Sequence, residues 1–266
     1  MKMLKLAGTI PALAFAVSLG VSNDAQASSL MFDRGLPSEN LNQAAGANRS
    51  NVSWASGTQG GFVGDDFSIG SAGTTYVIDS LTVWGAQFNP LSSDISDITL
   101  WLGKQGSQLS SVSTGSVTGN MNSNPNINHS FVTYADGVTS TYWSDNSQTD
   151  IPIAQTIFSG LNLTVEGGQL YDFGIAAGGP FGWFGHASNA ALSGTPQDGA
   201  DGLYRVFDSA GNFLNTVDSS VTGWDKSSDI NVQVTAAPIP LPAAGWLLLT
   251  AVGGLGLATR RRRKAA

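Results

Sequence analysis

The chain has 266 residues, 12 of them basic and 19 acidic, with 33 glycines and no cysteine. The missing cysteine excludes a thiol nucleophile, a thiolate zinc site and a disulfide framework. Two lysines and Asp24 fall in the first 27 residues and five basic residues in 260–264, which leaves five basic against 18 acidic residues between the ends. Such a surface repels nucleic acid and anionic lipid headgroups, and it suits hard cations such as calcium.

Lys2 and Lys5 precede an apolar run from Ala7 to Val21, and Ala25-Gln26-Ala27 supplies the small-x-small step that signal peptidase cuts. These three parts predict a secretory signal peptide over residues 1–27, a helix removed after Ala27. The body, residues 28–235, is long enough to bury a core without covalent staples, and one domain is the expectation.

Helix formers are scarce in the body; Gln43 to Ala47 has some helical character and is read as loop. Strand patterns follow one another: Phe67–Ile69, Tyr76–Trp84, Ile98–Leu102, Phe131–Tyr134, Leu161–Val165, Tyr171–Ile175, Leu203–Phe207 and Ile230–Val234. They are short, half-polar and bounded by turn residues, as water-facing antiparallel sheets require. Gly106 to Asn128 is poor in apolar residues and predicts a long surface connection or an irregular hairpin. Asp208-Ser209-Ala210-Gly211-Asn212 predicts a hairpin loop. The fold class that follows is all-β, an antiparallel β-sandwich or jelly roll. Gly64-Asp65-Asp66-Phe67, followed by Tyr76-Val77-Ile78 and Leu81-Thr82-Val83-Trp84-Gly85, resembles a pattern of secreted bacterial β-sandwich domains that usually reads Ala-Asp-Asp-Phe before a strand ending in aromatic-Trp-Gly. The resemblance implies the sandwich and assigns no chemistry.

No catalytic constellation stands out. His129 and His186 form no metal-binding pair, and nucleophile-elbow, P-loop and dinucleotide fingerprints are missing. Asp65 and Asp66 predict a strand-entry turn in which a carboxylate caps backbone N–H groups, and they are also candidate calcium ligands. Asp198 and Asp201, in Asp198-Gly199-Ala200-Asp201-Gly202, are a second candidate pair on the same terms. No other cofactor is indicated. Trp84 and Trp101 lie within strand patterns and are read as packing residues. Tyr142, Trp143 and Trp183 lie in loop-like stretches and are the candidate platforms for stacking a sugar ring.

The C-terminal end carries Ile239-Pro240-Leu241-Pro242-Ala243, then an uncharged apolar run from Ala243 to Thr259, then Arg260-Arg261-Arg262-Arg263-Lys264. As a helix, residues 243–259 would span roughly 25 Å, close to the hydrocarbon thickness of a bilayer. The basic block is a stop-transfer signal that stays on the cytoplasmic side. This tail, from residue 236 on, resembles the PEP-CTERM class of bacterial sorting signals, in the variant with a Val-Pro-Leu-Pro-Ala core. Ile239 stands for the valine, and Leu241 stands where the commoner form has glutamate. The resemblance implies export by a Gram-negative bacterium, transient anchoring in the inner membrane, and cutting near the Pro motif by an exosortase, with signal peptidase acting at the other end. Delivery to the cell surface or the exopolysaccharide matrix follows. The function expected is that of a non-enzymatic surface or matrix protein that binds glycan. The alternatives are a carbohydrate-active enzyme on a jelly roll and a calcium-stabilised adhesin.

Overall fold

A computed structural model describes residues 27–34, 51–54, 61–86, 97–116, 123–131, 141–144, 149–178, 183–186, 203–218 and 229–240. The described residues are all-β, without a helix, and form two antiparallel sheets. The predicted signal segment up to residue 26, the predicted membrane helix 243–259 and the basic block 260–264 lie outside them.

The spine of the larger sheet is β4 (Thr75–Ala86), whose aromatic and β-branched residues suit a half-buried pleated surface. One of its edges carries β10 (Leu163–Glu166) and then β9 (Thr149–Phe158). The other carries β15 (Val232–Pro238) and then the short β12 (Phe184–His186). Beyond β15 lies β1 (Ser29–Asp33), and beyond β12 lies β2 (Asn51–Trp54). The far edge of β9 pairs with β7 (Ile127–Phe131) and β8 (Thr141–Ser144).

The smaller sheet has six strands in the order β14 (Phe213–Asp218), β13 (Leu203–Asp208), β3 (Gly61–Ser68), β11 (Leu170–Ala177), β5 (Asp97–Lys104) and β6 (Ser110–Ser116). A single core cluster unites the sheets. It joins Val63, Phe67, Leu100, Phe173 and Val206 of the smaller sheet to Ile78, Leu81, Val83, Val232 and Val234 of the larger. Each such side chain contributes about 1.5–3 kcal/mol when fully buried.

Strand β3 is buried on both faces. Its second face lies under a smaller cluster of Phe62, Leu109 and Phe207, with Trp101 packed against it. The Phe62 ring stacks on Trp101 at 5.0 Å and on Phe207 at 5.4 Å. The lid over this face is built from two turns. Leu109 N–H donates to the Gly211 carbonyl at 2.9 Å, and Gln108 Nε2 donates to the Ala210 carbonyl at 2.8 Å. The Asp208–Asn212 hairpin forms as expected: Asp208 accepts from the amides of Ala210 and Asn212, and Gly211 takes a φ of 87°, which favours glycine.

Several expected boundaries shift. Gly106–Asn128 contains β6 and the start of β7, which belong to different sheets and pair with β5 and β9, so within the described residues it is neither a bare surface connection nor a hairpin. The last strand begins at Val232 instead of Ile230 and continues to Pro238, through residues read as the start of the tail. Gln26–Ile239 forms one compact unit.

Candidate functional site

Period-two alternation places consecutive residues of a strand on opposite faces. In β3, Val63 and Phe67 enter the core between the sheets, and Asp65 is on their side. Asp66 falls on the opposite face, with Phe62 and Gly64. Directly across the ladder, Asp66 pairs with Asp172 of β11, and Gly64 pairs with Arg205 of β13. The turn-covered face of the smaller sheet therefore gathers Asp66, Asp172 and Arg205, and the core side receives Asp65. Asp65 and Asp66 are mid-strand residues, which corrects the strand-entry turn expected from the sequence. The expected capping role is nonetheless present, because Asp65 accepts from two backbone amides.

Arg34, immediately after β1, is fully buried. Its Nη1 lies 2.9 Å from Asp65 Oδ2, and its Nη2 donates to the Asp66 carbonyl at 2.6 Å and lies 3.5 Å from Asp66 Oδ1. Its guanidinium also rests over the Phe32 ring at 5.2 Å. Asp65 Oδ2 further accepts from the Ile230 N–H at 2.7 Å, and Oδ1 from the Asp66 N–H at 2.8 Å. Burial pushes the Asp65 carboxyl up from its ordinary range, while Arg34 and the Ile230 amide pull it back. Two backbone amides donate to its oxygens and the Arg34 guanidinium lies beside Oδ2, all of which favour the charged form, but burial, with Asp229 and Asp66, leaves the carboxyl well above its ordinary range. Burial opposes the charge on Arg34, but Asp65, Asp229 and Asp66 more than offset it, so the guanidinium pKa is raised.

On the covered face, Arg205 donates through Nη2 and Nε to Asp66 Oδ2 at 3.1 and 3.3 Å, and Gln105 Nε2 donates to the same oxygen at 2.9 Å. Arg205 Nε also lies 3.3 Å from Asp172 Oδ1, and its guanidinium sits 5.3 Å from the Phe213 ring centroid. The Asp172 side chain is 1% exposed and neither oxygen accepts a hydrogen bond. Burial raises its pKa to about 6 and Asp66 adds to the rise, while Arg205 and the Gln105 side-chain amide oppose it. The cluster ties together the first strand, the segment leading into the last strand, and three strands of the smaller sheet.

The candidate residues from the sequence fare differently. Asp65 and Asp66 come together, but the groups around them are guanidiniums, an amide side chain and backbone N–H donors, not the six to eight oxygens that calcium takes. Among the described residues no group of three acidic or histidine side chains is arranged to hold a metal ion. Asp198 and Asp201 lie outside the described residues. Trp183, expected as a stacking platform, is 1% exposed and belongs to the main core cluster, so its ring faces offer no surface to a sugar. Tyr142 and Trp143 lie in a strand, β8, and not in a loop; they pair with Ile151 and Asp150 of β9. Trp84 is buried as expected. Of the processing residues, Ala27 is exposed and Ala25 lies outside the described residues. Ile239 is 42% exposed and its N–H donates to the Thr75 carbonyl at 2.8 Å; Pro240 is exposed, and Leu241, Pro242 and Ala243 lie outside.

Sequence reasoning missed Arg34, Asp172, Arg205, Asp229 and Gln105. A weak signal was present. Asp172 and Arg205 each stand alone between strongly apolar neighbours, Tyr171 and Phe173 in one case, Tyr204 and Val206 in the other. That alternation gives the charged residue's face but not its cover, which comes from residues 105–109 and 209–212. Searches of family models, curated proteins and solved structures found no match to this chain.

Proposed function

We propose that the chain is an exported β-sandwich protein that acts, without catalysis of its own, at the cell surface or in the extracellular polysaccharide matrix. Its leader is removed after Ala27, and its C-terminal tail anchors it in the inner membrane until an exosortase acts at the Pro motif. The observation that carries the reading is the pairing of the first strand with the last, with Ser29 opposite Ala236. The residue two positions after the expected leader cut is thus the neighbour of the residue three positions before the motif. The first and last strands of the body have adjoining outer ends, which suits a leader and a tail that engage one membrane.

Two further observations support it. One core cluster drawn from two antiparallel sheets is how a sandwich buries its apolar faces. The most prominent carboxylates, Asp65 and Asp66, are buried on arginines, in a structural role rather than in an open acid–base pair. Because Ile239 is hydrogen-bonded to Thr75, a cut beyond it leaves β15 whole and the body intact.

The test is the C-terminal peptide of the protein recovered outside the cell, read by mass spectrometry. An end between Pro240 and Ala243 is expected; an intact end at Ala266 would refute sorting by processing. For the glycan part of the reading, the purified protein should bind the producer's own exopolysaccharide, with Tyr142 and Trp143 the remaining aromatic candidates. Absence of binding removes that part alone.

A further inference from the structure

We propose that Asp66 and Asp172 form a proton-binding pair, with the proton on Asp172, and that this pair makes the junction of β3, β11 and β13 a pH-sensitive latch. The two carboxyls face each other across the antiparallel ladder on the covered side of the sheet, where Cβ atoms of direct partners are about 4.5–5.5 Å apart. Two carboxylates so close in a site shielded from water do not both ionise readily.

The asymmetry of their partners decides which one keeps the proton. Asp66 takes Arg205 and Gln105 on Oδ2, and Arg34 approaches Oδ1. Every one of these contacts favours its ionised form. Asp172 has a single cationic contact, Arg205 Nε at 3.3 Å on Oδ1, shared with Asp66. Its Oδ2 is buried and accepts no hydrogen bond, a poor setting for a charge and a tolerable one for a neutral carboxyl.

The Gln105 amide, bonded to Asp66 Oδ2, also favours the ionised form of Asp172, but burial and the Asp66 charge outweigh it and Arg205 together. On the β5 side the ladder partner of Asp172 is Gly103, and the space over that glycine holds the Leu109 side chain. Next to Gly103, Lys104 is exposed and turned to Glu166, with Nζ 3.7 Å from Oε2. Asp65 and Asp229 act on Arg34, behind Asp66. The upward shift of the Asp172 carboxyl agrees with this placement.

When the pH rises past the midpoint, Asp172 releases its proton to solvent and the pair carries two negative charges against one shared guanidinium. The sign follows from linkage. A carboxyl whose folded-state pKa lies above its unfolded value stabilises the fold at low pH, and that contribution is lost as pH rises through the folded value. The latch is therefore tighter in mildly acid surroundings and looser in mildly alkaline ones.

The experiment compares the protein with Asp172→Asn by infrared spectroscopy and thermal melting between about pH 4 and 8. A protonated-carboxyl carbonyl band that disappears with a midpoint near 6 is expected in the parent and absent in Asp172→Asn. The melting advantage of the variant over the parent should be small at about pH 4, grow as pH rises from the unfolded to the folded value, and level off above about pH 6.5 at roughly 6–12 °C. A band with a midpoint near 6 that survives Asp172→Asn places the proton elsewhere and overturns the proposal, as does an identical pH dependence of melting in both proteins. Should the variant fail to fold, the parent spectrum decides alone: no carboxyl band titrating between about pH 5 and 7 overturns the proposal.

Discussion

Replacing Arg34 by methionine tests the buried cluster most directly. The side chain is 0% exposed, so nothing of its interaction is screened by solvent. Its removal strips Asp65 of the guanidinium at 2.9 Å and leaves the Asp66 carbonyl without its donor at 2.6 Å. Asp65 then stays charged in the core or takes up a proton, and both outcomes cost free energy. Breaking one side of a buried ion pair typically costs about 3–5 kcal/mol, a large share of the 5–15 kcal/mol of an ordinary domain. Arg34→Met should thus lower the urea midpoint sharply with little change in slope. The double variant Arg34→Met, Asp65→Asn keeps an acceptor for the Ile230 or Asp66 amide and removes the orphaned charge. It should recover about half of the loss, a coupling of at least 1–2 kcal/mol between the two sites. A loss below about 1 kcal/mol for Arg34→Met, or additive effects in the double variant, would refute the claim that the pair bears on stability through buried charge.

Two other outcomes follow from the geometry. A Cβ at Gly64 would fall on the Phe173 carbonyl oxygen of the paired strand, so Gly64→Ala must force β3 and β11 apart; a loss of more than 3 kcal/mol is expected by denaturant titration, whereas Gly73→Ala, with open space but a φ of 85°, should cost only about 1 kcal/mol. His129, whose Nδ1 lies 2.8 Å from Thr156 Oγ1, has its pKa lowered by burial to about 4. Its unfolded-state value is the higher one, so its contribution is complete above about pH 6.5 and is lost as pH falls toward 4, by about 2–3 kcal/mol. His129→Gln should remove that acid-side slope in a pH series of melting curves, and an unchanged slope would assign it to other groups.

The all-β class was legible because strand periodicity is a local property. Tyr76–Trp84, Ile98–Leu102, Tyr171–Ile175 and Leu203–Phe207 each lie within an observed strand. What escaped is what alternation does not carry. Strand β9 contains Pro152, which argues against a strand unless it stands where its missing N–H is not needed. Strand β6 is built of Ser, Thr, Gly and a single Val, and it pairs on one side with β5; its residues look like loop until the neighbouring strand supplies the ladder. Ser29–Asp33 is too short to stand out, and it becomes a strand because the chain's far end, Asp33↔Gln233 to Ser29↔Ala236, lies beside it.

The site was half legible for the same reason. Asp65 and Asp66 were conspicuous as a pair, but adjacent residues in a strand face opposite ways, so the sequence neighbours serve two different environments. Asp65 belongs with Arg34 and the Ile230 amide in the core, and Asp66 with Arg205, Gln105 and Asp172 under the turn-covered face. Those partners come from 31 to 165 positions away in the chain, and no spacing rule links them. Trp183 fails as a platform on parallel grounds. Its flanking glycines and phenylalanines have loop-like composition, yet the chain there leads into β12, and the ring closes on Gly185 and the core instead of on solvent. A charged or aromatic residue in a glycine-rich β chain thus announces its chemistry locally, while its exposure, and with it the choice between binding and holding the fold together, is decided by strands distant in sequence.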